Sequence, residues 1–461
     1  FAVGLAATLK PVDCPLIARA CDELEAAFDK RYRLISCLRK GVMYHHGSIP
    51  DTIRLYLENL FSASGKMRYL VCNSTLLEGV NLPIERLFIF DYTKGQSNLT
   101  SSQFKNLIGR VNRFSEVFAP EAQASLKKLE SSIYLLGVEG FTSKRANLQS
   151  FYQKAVNVSQ VDQDSVGNVM LEATNIVQGK ISKLYDNAVE RLANLHPGLL
   201  GDRPCQYVTT ELGKLMIANS ISELDVFKHE ERIYRQIKNS VKTLGQISDV
   251  ARLMRAVQKL FIANFEDSRE HRDLLRLNEL PALKFYTMLL DWRLKRYSLK
   301  RMIRLTLRYW NKLAEEGVTD HVFVGKWGDS TFGESVYENW VRISRKDDAE
   351  RINLAIVHLK DEEDFFDNRI FKFVEVLNGV GALEAGFYKR IKYGTDDDLR
   401  IKLIRDGFSR GLADLMLADY AEMVRVGSDG EVHVDSRIVR KMIRDEVSDL
   451  MIFEAKMSIR V

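Results

Sequence analysis

The sequence predicts an α/β domain, a doubly wound and mostly parallel sheet, followed by mainly α domains that include a winged helix. Three observations predict it. Apolar runs of strand length alternate with amphipathic helical patterns up to about residue 145. From about residue 150 the strand runs thin out and helical periodicity dominates to the end. A stretch rich in Pro and Gly, "HPGLLGDRPCQY" at 196–207, marks a domain boundary.

The elements follow in order. "PLIARACDELEAAFDKRYRLISCL" has a helical period, and "GVMYHHG" reads as a short strand running into a loop. "IPDTIRLYLENLFSASG" is helical, with Pro50 suited to a first turn and Gly65 to a C-terminal cap. "MRYLVCN", "RLFIFDY" and "SSIYLLGV" are strand-length apolar runs, and "SSQFKNLIGRVNRF" is helical. Beyond the boundary, "VTTELGKLMIANS" is a helix, "VTDHVFVGKWGDSTFGES" a loop or small hairpin, and "GSDGEVHVDS" a turn. The chain divides on these signals into the α/β domain at 1–150, a connector and winged helix at 151–260, a helical domain with a basic helix at 261–345, and a C-terminal helical domain at 346–461.

Composition bounds the function. Of 461 residues, 46% are hydrophobic and 28% charged, as in an ordinary globular protein. No run of eighteen apolar residues and no secretory leader is visible, so the sequence gives no sign of a membrane partner. The opening "FAVGLAATLK" lacks a methionine and reads as the interior of a longer polypeptide. Five cysteines without a CxxC pair fit a reducing, cytoplasmic setting, and the adjacent His45-His46 lacks the further ligands a metal needs. Residues 1–150 carry 19 Lys+Arg against 14 Asp+Glu, which is the whole of the net +5. Within the neutral remainder, residues 292–312 hold eight basic side chains and no acidic one. Such local stripes suit a protein that grips a polyanion.

Two segments carry candidate chemistry. In "NLIGRVNR", a helix turning about 100° per residue puts Asn106, Arg110 and Arg113 on one face. Phe104, Leu107, Ile108 and Val111 fall on the other, facing a sheet. Paired guanidiniums on a rigid element match the developing charge of a transferred phosphoryl group. A solvated basic face accounts for the same spacing. In "NSTLLEGVNLP", Ser74 and Thr75 offer hydroxyls and backbone N–H groups where a strand ends, Gly79 allows a tight turn, and Pro83 stops a helix.

These segments resemble motifs VI and V of superfamily 2 helicases. "GVMYHHGSIPDTIRLYLENLF" resembles the HHxG segment and following helix of DExH enzymes of the Ski/Lhr type. The three occur in the family's order over residues 41–113. The resemblance implies that residues 1–150 are a second RecA-like domain and that the nucleotide is ATP with Mg²⁺. It implies that Arg110 and Arg113 reach the γ-phosphate, with Arg113 as the finger. Gly79, Asn81 and Asn106 would face the nucleotide, although the family usually has Gln where Asn106 stands. Thr75, His46 and Gly47 would lie on the nucleic-acid track.

The family's phosphate loop and DExH box belong to a first RecA-like domain, which residues 1–150 do not resemble. The nearest approach to a phosphate loop, "QGKISK" at 178–183, lacks the leading glycine and has Ile181 where a magnesium-binding hydroxyl belongs. Magnesium would therefore be held mainly by that other domain.

In "WRLKRYSLKRMIRLTLRYWNKL", Trp292 to Leu313, a helical stripe of Leu299, Met302, Ile303, Thr306, Leu307 and Trp310 faces inward. Arg293, Lys300, Arg304, Arg308 and Lys312 line the opposite side, with Tyr297 or Tyr309 able to stack on a base. Ski/Lhr-type enzymes contact the translocating strand with such a helix. An exposed basic helix paired with acidic neighbours is the alternative. "VTTELG" resembles a stretch of the family's winged helix, and an amphipathic helix explains it as well. "DEEDFF" at 361–366 reads as a solvated face, and "FEAKM" as a chance ExK on a helix rather than a nuclease motif.

A further resemblance, in "NLAIVHLKDEEDFFDNRIFKFVEVLN" and "FYKRIKYGTDD", is to bacterial anti-phage defence helicases of the Hachiman HamB kind. It implies DNA, single-stranded or partly duplex, as the track and a HamA-like nuclease as partner. The competing reading is a non-catalytic nucleic-acid-binding or docking module with a vestigial motor.

Overall fold

The computed structural model describes residues 1–73, 82, 84–94, 97–111, 132–142, 146–156, 208–265, 271–333, 337–428 and 430–459. Packing divides the chain into two units. The first comprises 1–2, 41–47 and 57–205; the second comprises 3–40, 48–56 and 206–461. The first forty residues therefore sort almost entirely with the second unit.

The first unit holds two parallel strand pairs. Strand β1 (Val42–His45) pairs with β2 (Tyr69–Cys72), Val42 opposite Tyr69. Val42, Met43 and His45 are all buried, which is the pattern of a strand covered on both faces. Strand β3 (Arg86–Ile89) pairs with β4 (Ser132–Leu135), Arg86 opposite Ser132. Here only Leu87 and Ile89 point inward, while Phe88 is exposed and stacks on Tyr134 at 4.9 Å. Among the described residues these pairs are separate sheets. The Asp51–Ser64 helix separates β1 from β2 and ends, as its sequence predicts, at Gly65 with φ +59°.

Helix α1 (Ser101–Ile108) starts with a capping box in which Thr100 and Gln103 satisfy each other's backbone N–H. Phe104 is fully buried and meets Phe151 of α2 (Leu148–Val156) edge-on at 5.0 Å.

The second unit is helical. Helix α3 (Glu211–Ala218) is capped by Thr210, whose Oγ1 accepts from Gly213 N, and α4 (Val226–Leu244) packs on it. Glu230 of α4 is buried and accepts from Thr209 N at 2.9 Å, Thr210 N at 3.0 Å and Thr210 Oγ1 at 2.6 Å. Burial pushes the Glu230 carboxyl up, but the Thr210 and Thr209 donors outweigh it and hold it below the usual range. A Cβ on Gly213 would stand 2.0 Å from Glu230 Oε2. The "TTELG" run thus has a local structural cause: it is a cradle for one carboxylate.

Helix α5 (Val250–Leu260) packs on α6 (Leu280–Leu294). Helix α7 (Leu299–Glu315) follows, then the antiparallel hairpin β5 (His321–Phe323) and β6 (Trp340–Arg342). Helix α8 (Asp348–Phe365) runs through a five-residue π segment, Phe366–Ile370, into α9 (Phe371–Gly379). Ile352, Leu359, Phe366, Ile370, Phe373 and Leu377 along it are 0–1% exposed, so this continuous rod is the spine of the core.

After α10 (Ala385–Tyr393) comes a small bundle: α11 (Asp398–Arg405), α12 (Arg410–Asp419), the hairpin β7 (Val424–Val426) and β8 (Val432–Val434), α13 (Arg437–Arg444) and α14 (Asp449–Ser458). Its own core includes Leu412, Met416, Ile438 and Met442. The "FEAKM" run lies on α14, where Ser409 donates its N–H and hydroxyl to Glu454 at 2.6 and 2.8 Å. No helix among the described residues is long and apolar enough to cross a membrane.

Candidate functional site

In the first unit, His45 is buried and its Nε2 lies 3.2 Å from Glu58 Oε1, within the unit's interior. His46 is half-buried with its ring parallel to Tyr44 at 6.0 Å, and Gly47 is exposed beside it. The turn after β1 therefore keeps one histidine for the core, half-buries the next and leaves Gly47 exposed.

The "NLIGRVNR" segment departs from the continuous helix its spacing predicts. Helix α1 stops at Ile108; Gly109 caps it, and Val111 leaves to bridge Ile84 in parallel. Phe104, Leu107 and Val111 are buried as expected. Asn106 is exposed on the last turn, whereas Arg110 is 6% exposed in the turn that follows. One is exposed and the other buried, so the two do not present one common surface to a ligand. Thr75, Gly79, Asn81 and Arg113 lie outside the described residues.

In the second unit, the predicted single basic helix is two. Helix α6 closes with a six-to-one bond from Tyr297 N to Trp292 O and a second from Arg296 N to Arg293 O. Arg296 carries the left-handed turn at φ +55°, a place glycine usually takes. Its guanidinium is held by Asp414 Oδ1 at 3.1 Å and the Gly394 carbonyl at 3.2 Å. Ser298 then caps α7 through its side chain to Arg301 N. Arg293 thus belongs to α6, not to the row on α7. Its side chain is 8% exposed and pairs in a fork with Asp367 at 2.7 and 2.9 Å. The break puts it out of phase with the ladder the sequence suggested.

What remains of the row is well defined. Met302, Ile303, Thr306 and Trp310 are buried, the stripe that the spacing predicts. Lys300 Nζ donates to the Glu25 carbonyl at 3.0 Å, and Arg301 lies over the Tyr297 ring at 3.6 Å, which occupies that ring's face. Arg304 and Arg308 are exposed one turn apart, without an ion pair among the described residues, and Tyr309 is 55% exposed. Lys312 sits beside Glu316 at 3.6 Å. Ser298, Lys300, Arg301, Arg304, Leu305 and Arg308 line an open concavity of about 410 Å³. Lys300 and Arg301 sit in the first turn, at the positive end of the helix dipole, where cations lose rather than gain stability. An anion bound there would reverse that cost.

The acidic run is not the solvated face its composition suggested. Glu362 is 5% exposed and accepts from Arg276 Nη2 at 2.8 Å and from the Tyr286 hydroxyl. Arg276 in turn stacks on Phe365 at 4.1 Å. Asp361 takes Ser48 Oγ at 2.5 Å and Trp327 Nε1 at 2.9 Å. Burial pushes the Glu363 carboxyl up and the fully enclosed His358 imidazole down. Glu362 is an interior carboxylate, and Asp361 a partly buried one, that found donors, a fate that one-dimensional spacing does not reveal.

Partial similarities relate the chain to helicases. Over 80 residues, 16% of its length, it is 35% identical to ATP-dependent DNA helicase Hel308 of Thermoplasma acidophilum, covering 12% of that protein. Over 97 residues, 21% of its length, it is 32% identical to Anti-bacteriophage protein B of Escherichia coli strain K12, covering 13% of it. Over 208 residues, 42% of its length, it is 28% identical to DNA polymerase theta of Caenorhabditis elegans, again covering 12%. The chain thus spans about an eighth of the length of these relatives. No family model matches it.

Proposed function

We propose that this chain is the C-terminal half of an ATP-dependent DNA helicase or translocase. In this reading residues 1–150 form the second RecA-like lobe, with the parallel pairs β1–β2 and β3–β4 as parts of one doubly wound sheet. The observation that carries the proposal is the similarity to DNA helicases, joined to three motif-like segments in helicase order at 41–113. Parallel pairing with the Asp51–Ser64 helix between β1 and β2 is the connectivity such a lobe requires.

ATP would be clamped between this lobe and one carrying the phosphate loop. The burial of Arg110 leaves Arg113 to reach the γ-phosphate, with Arg110 anchoring the turn before it. Among the described residues no group of three or more His, Cys, Asp or Glu could hold a metal ion. Magnesium in this reading belongs to the other lobe. Gly47 in the first unit, and separately Arg304 and Arg308 of α7 in the second, are candidate contacts for the nucleic acid. The likeness to an anti-bacteriophage protein favours a role in defence, with a HamA-like nuclease as the effector under helicase control.

The test uses the full-length protein. Arg113→Ala is expected to lower single-strand-stimulated ATP hydrolysis by roughly 10³-fold or more while nucleotide binding persists. Equal turnover by variant and wild type would return the chain to the competing reading, a docking module with a vestigial motor.

A further inference from the structure

The β5–β6 hairpin carries a second surface of the kind that binds single strands. Its strands pair His321 with Arg342 and Phe323 with Trp340. The His321 ring lies nearly parallel to Phe332 at 4.7 Å, and Phe332 is 41% exposed. Phe332 also leans on Trp340 at 5.0 Å. Arg342 Nε donates to His321 Nε2 at 3.1 Å, fixing the imidazole in its stacked orientation. His321, Arg342 and Arg345 line an open concavity of about 440 Å³, within the size range of small-ligand sites. Of the acids around it, Asp329 is already paired with Lys346, and Glu338 offers an acceptor of the sort base amino groups use. Arg345 is exposed and has no ion pair among the described residues.

The hairpin is also mounted rigidly on the basic helix. Arg351 Nη1 donates to Asn311 Oδ1 of α7 at 3.1 Å, and its Nε donates to the Ile343 carbonyl at 3.2 Å. Asp320 holds the turn containing Arg345 by accepting from Ser344 N at 2.8 Å and Ser344 Oγ at 2.6 Å. The last seven residues of α7 beyond Arg308 rise about 10 Å at 1.5 Å each. That distance is about three nucleotides at the roughly 3.4 Å rise of a stacked strand.

We propose that a single strand held by Arg304 and Arg308 continues onto this hairpin, where one base stacks on Phe332 and a phosphate meets Arg345. One exposed aromatic ring, Phe332, beside the guanidiniums of Arg342 and Arg345 is recognition chemistry for an unpaired base, which duplex DNA conceals and a peptide lacks. The inference rests on the reading of α7 as a strand-binding helix.

The experiment measures binding of the full-length protein to oligothymidylates of about four to sixteen nucleotides, the range of single-strand site sizes, each with one 2-aminopurine. Phe332→Ala should weaken the longer oligonucleotides about 5- to 160-fold, as expected for one stacked base. It should leave the shortest ones unchanged and abolish the stacking-dependent quenching. Phe332→Tyr should restore both the long-oligonucleotide affinity and the quenching. Arg345→Ala, a surface change that leaves every hairpin hydrogen bond in place, should flatten the salt slope by about 0.7. If Phe332→Ala and Arg345→Ala both bind long oligonucleotides like wild type while Arg304→Ala/Arg308→Ala does not, the hairpin proposal fails and α7 stands. If wild type binds no single strand, both fail together.

Discussion

Helices α7 and α8 pack against each other, carry runs of opposite charge, and put those charges to opposite uses. On α8, Glu362 and Asp361 are turned inward and matched by Arg276, Tyr286, Trp327 and Ser48. On α7, Arg304 and Arg308 are turned outward, one turn apart, with no ion pair among the described residues. A matched buried charge contributes to holding the fold; an unmatched exposed one contributes little to stability and is available to a ligand. The difference teaches that a run of like charges has no meaning of its own. Its partners decide.

Breaking the inward set should have the largest effect. Glu362→Ala strands Arg276 against Phe365 and should lower unfolding stability by about 3–5 kcal/mol, read by denaturant titration. A loss under about 1 kcal/mol would put that carboxylate back at the surface. Arg304→Ala/Arg308→Ala comes next: single-strand affinity should fall about tenfold, the salt slope should drop by about 1.4, and the melting temperature should hold. Unchanged affinity and slope would make α7 an ordinary solvated helix.

A pH series sharpens the comparison further. His358 is held below its ordinary pKa chiefly by burial, so the unfolded chain binds its proton first as pH falls. Stability should therefore decline as pH drops through the unperturbed histidine value of about 6.5, by on the order of 1 kcal/mol per unit. His358→Leu should flatten that decline; an identical slope in the variant would assign it to other groups. The smallest effect is expected for Arg304→Glu, an exposed change in the second turn of α7. Stability should hold to within about 0.5 kcal/mol even as single-strand binding weakens. A fall in stability would mean that Arg304 has a structural partner.

Much of this was legible in one dimension, and the failures have physical causes. Val42–His45, Tyr69–Cys72, Arg86–Ile89 and Ser132–Leu135 announce themselves as strand-length, largely apolar runs, a signal carried by adjacent residues. The inward stripe of α7 was readable for the same reason, in a period of 3.6. The break between α6 and α7 was not, because arginine at 296 takes a left-handed turn that contacts with Asp414 and Gly394 maintain. Those partners are about a hundred residues away. The end of α1 at Ile108 depends likewise on Val111 meeting Ile84. Arg293, read in phase with Lys300, inherited the error. The buried place of Glu362 depends on Arg276 and Tyr286, which no local period could supply.

The left-handed turn at Arg296 has a mechanical corollary. It lies two residues before the cap of α7 and is tethered by one side chain to Asp414 in the C-terminal bundle. Arg400 of that bundle grips the same carboxylate at 3.3 Å. Tension applied along α7 would therefore be carried past its first turn and delivered to the terminal bundle, as a stay carries the load of a mast to the deck.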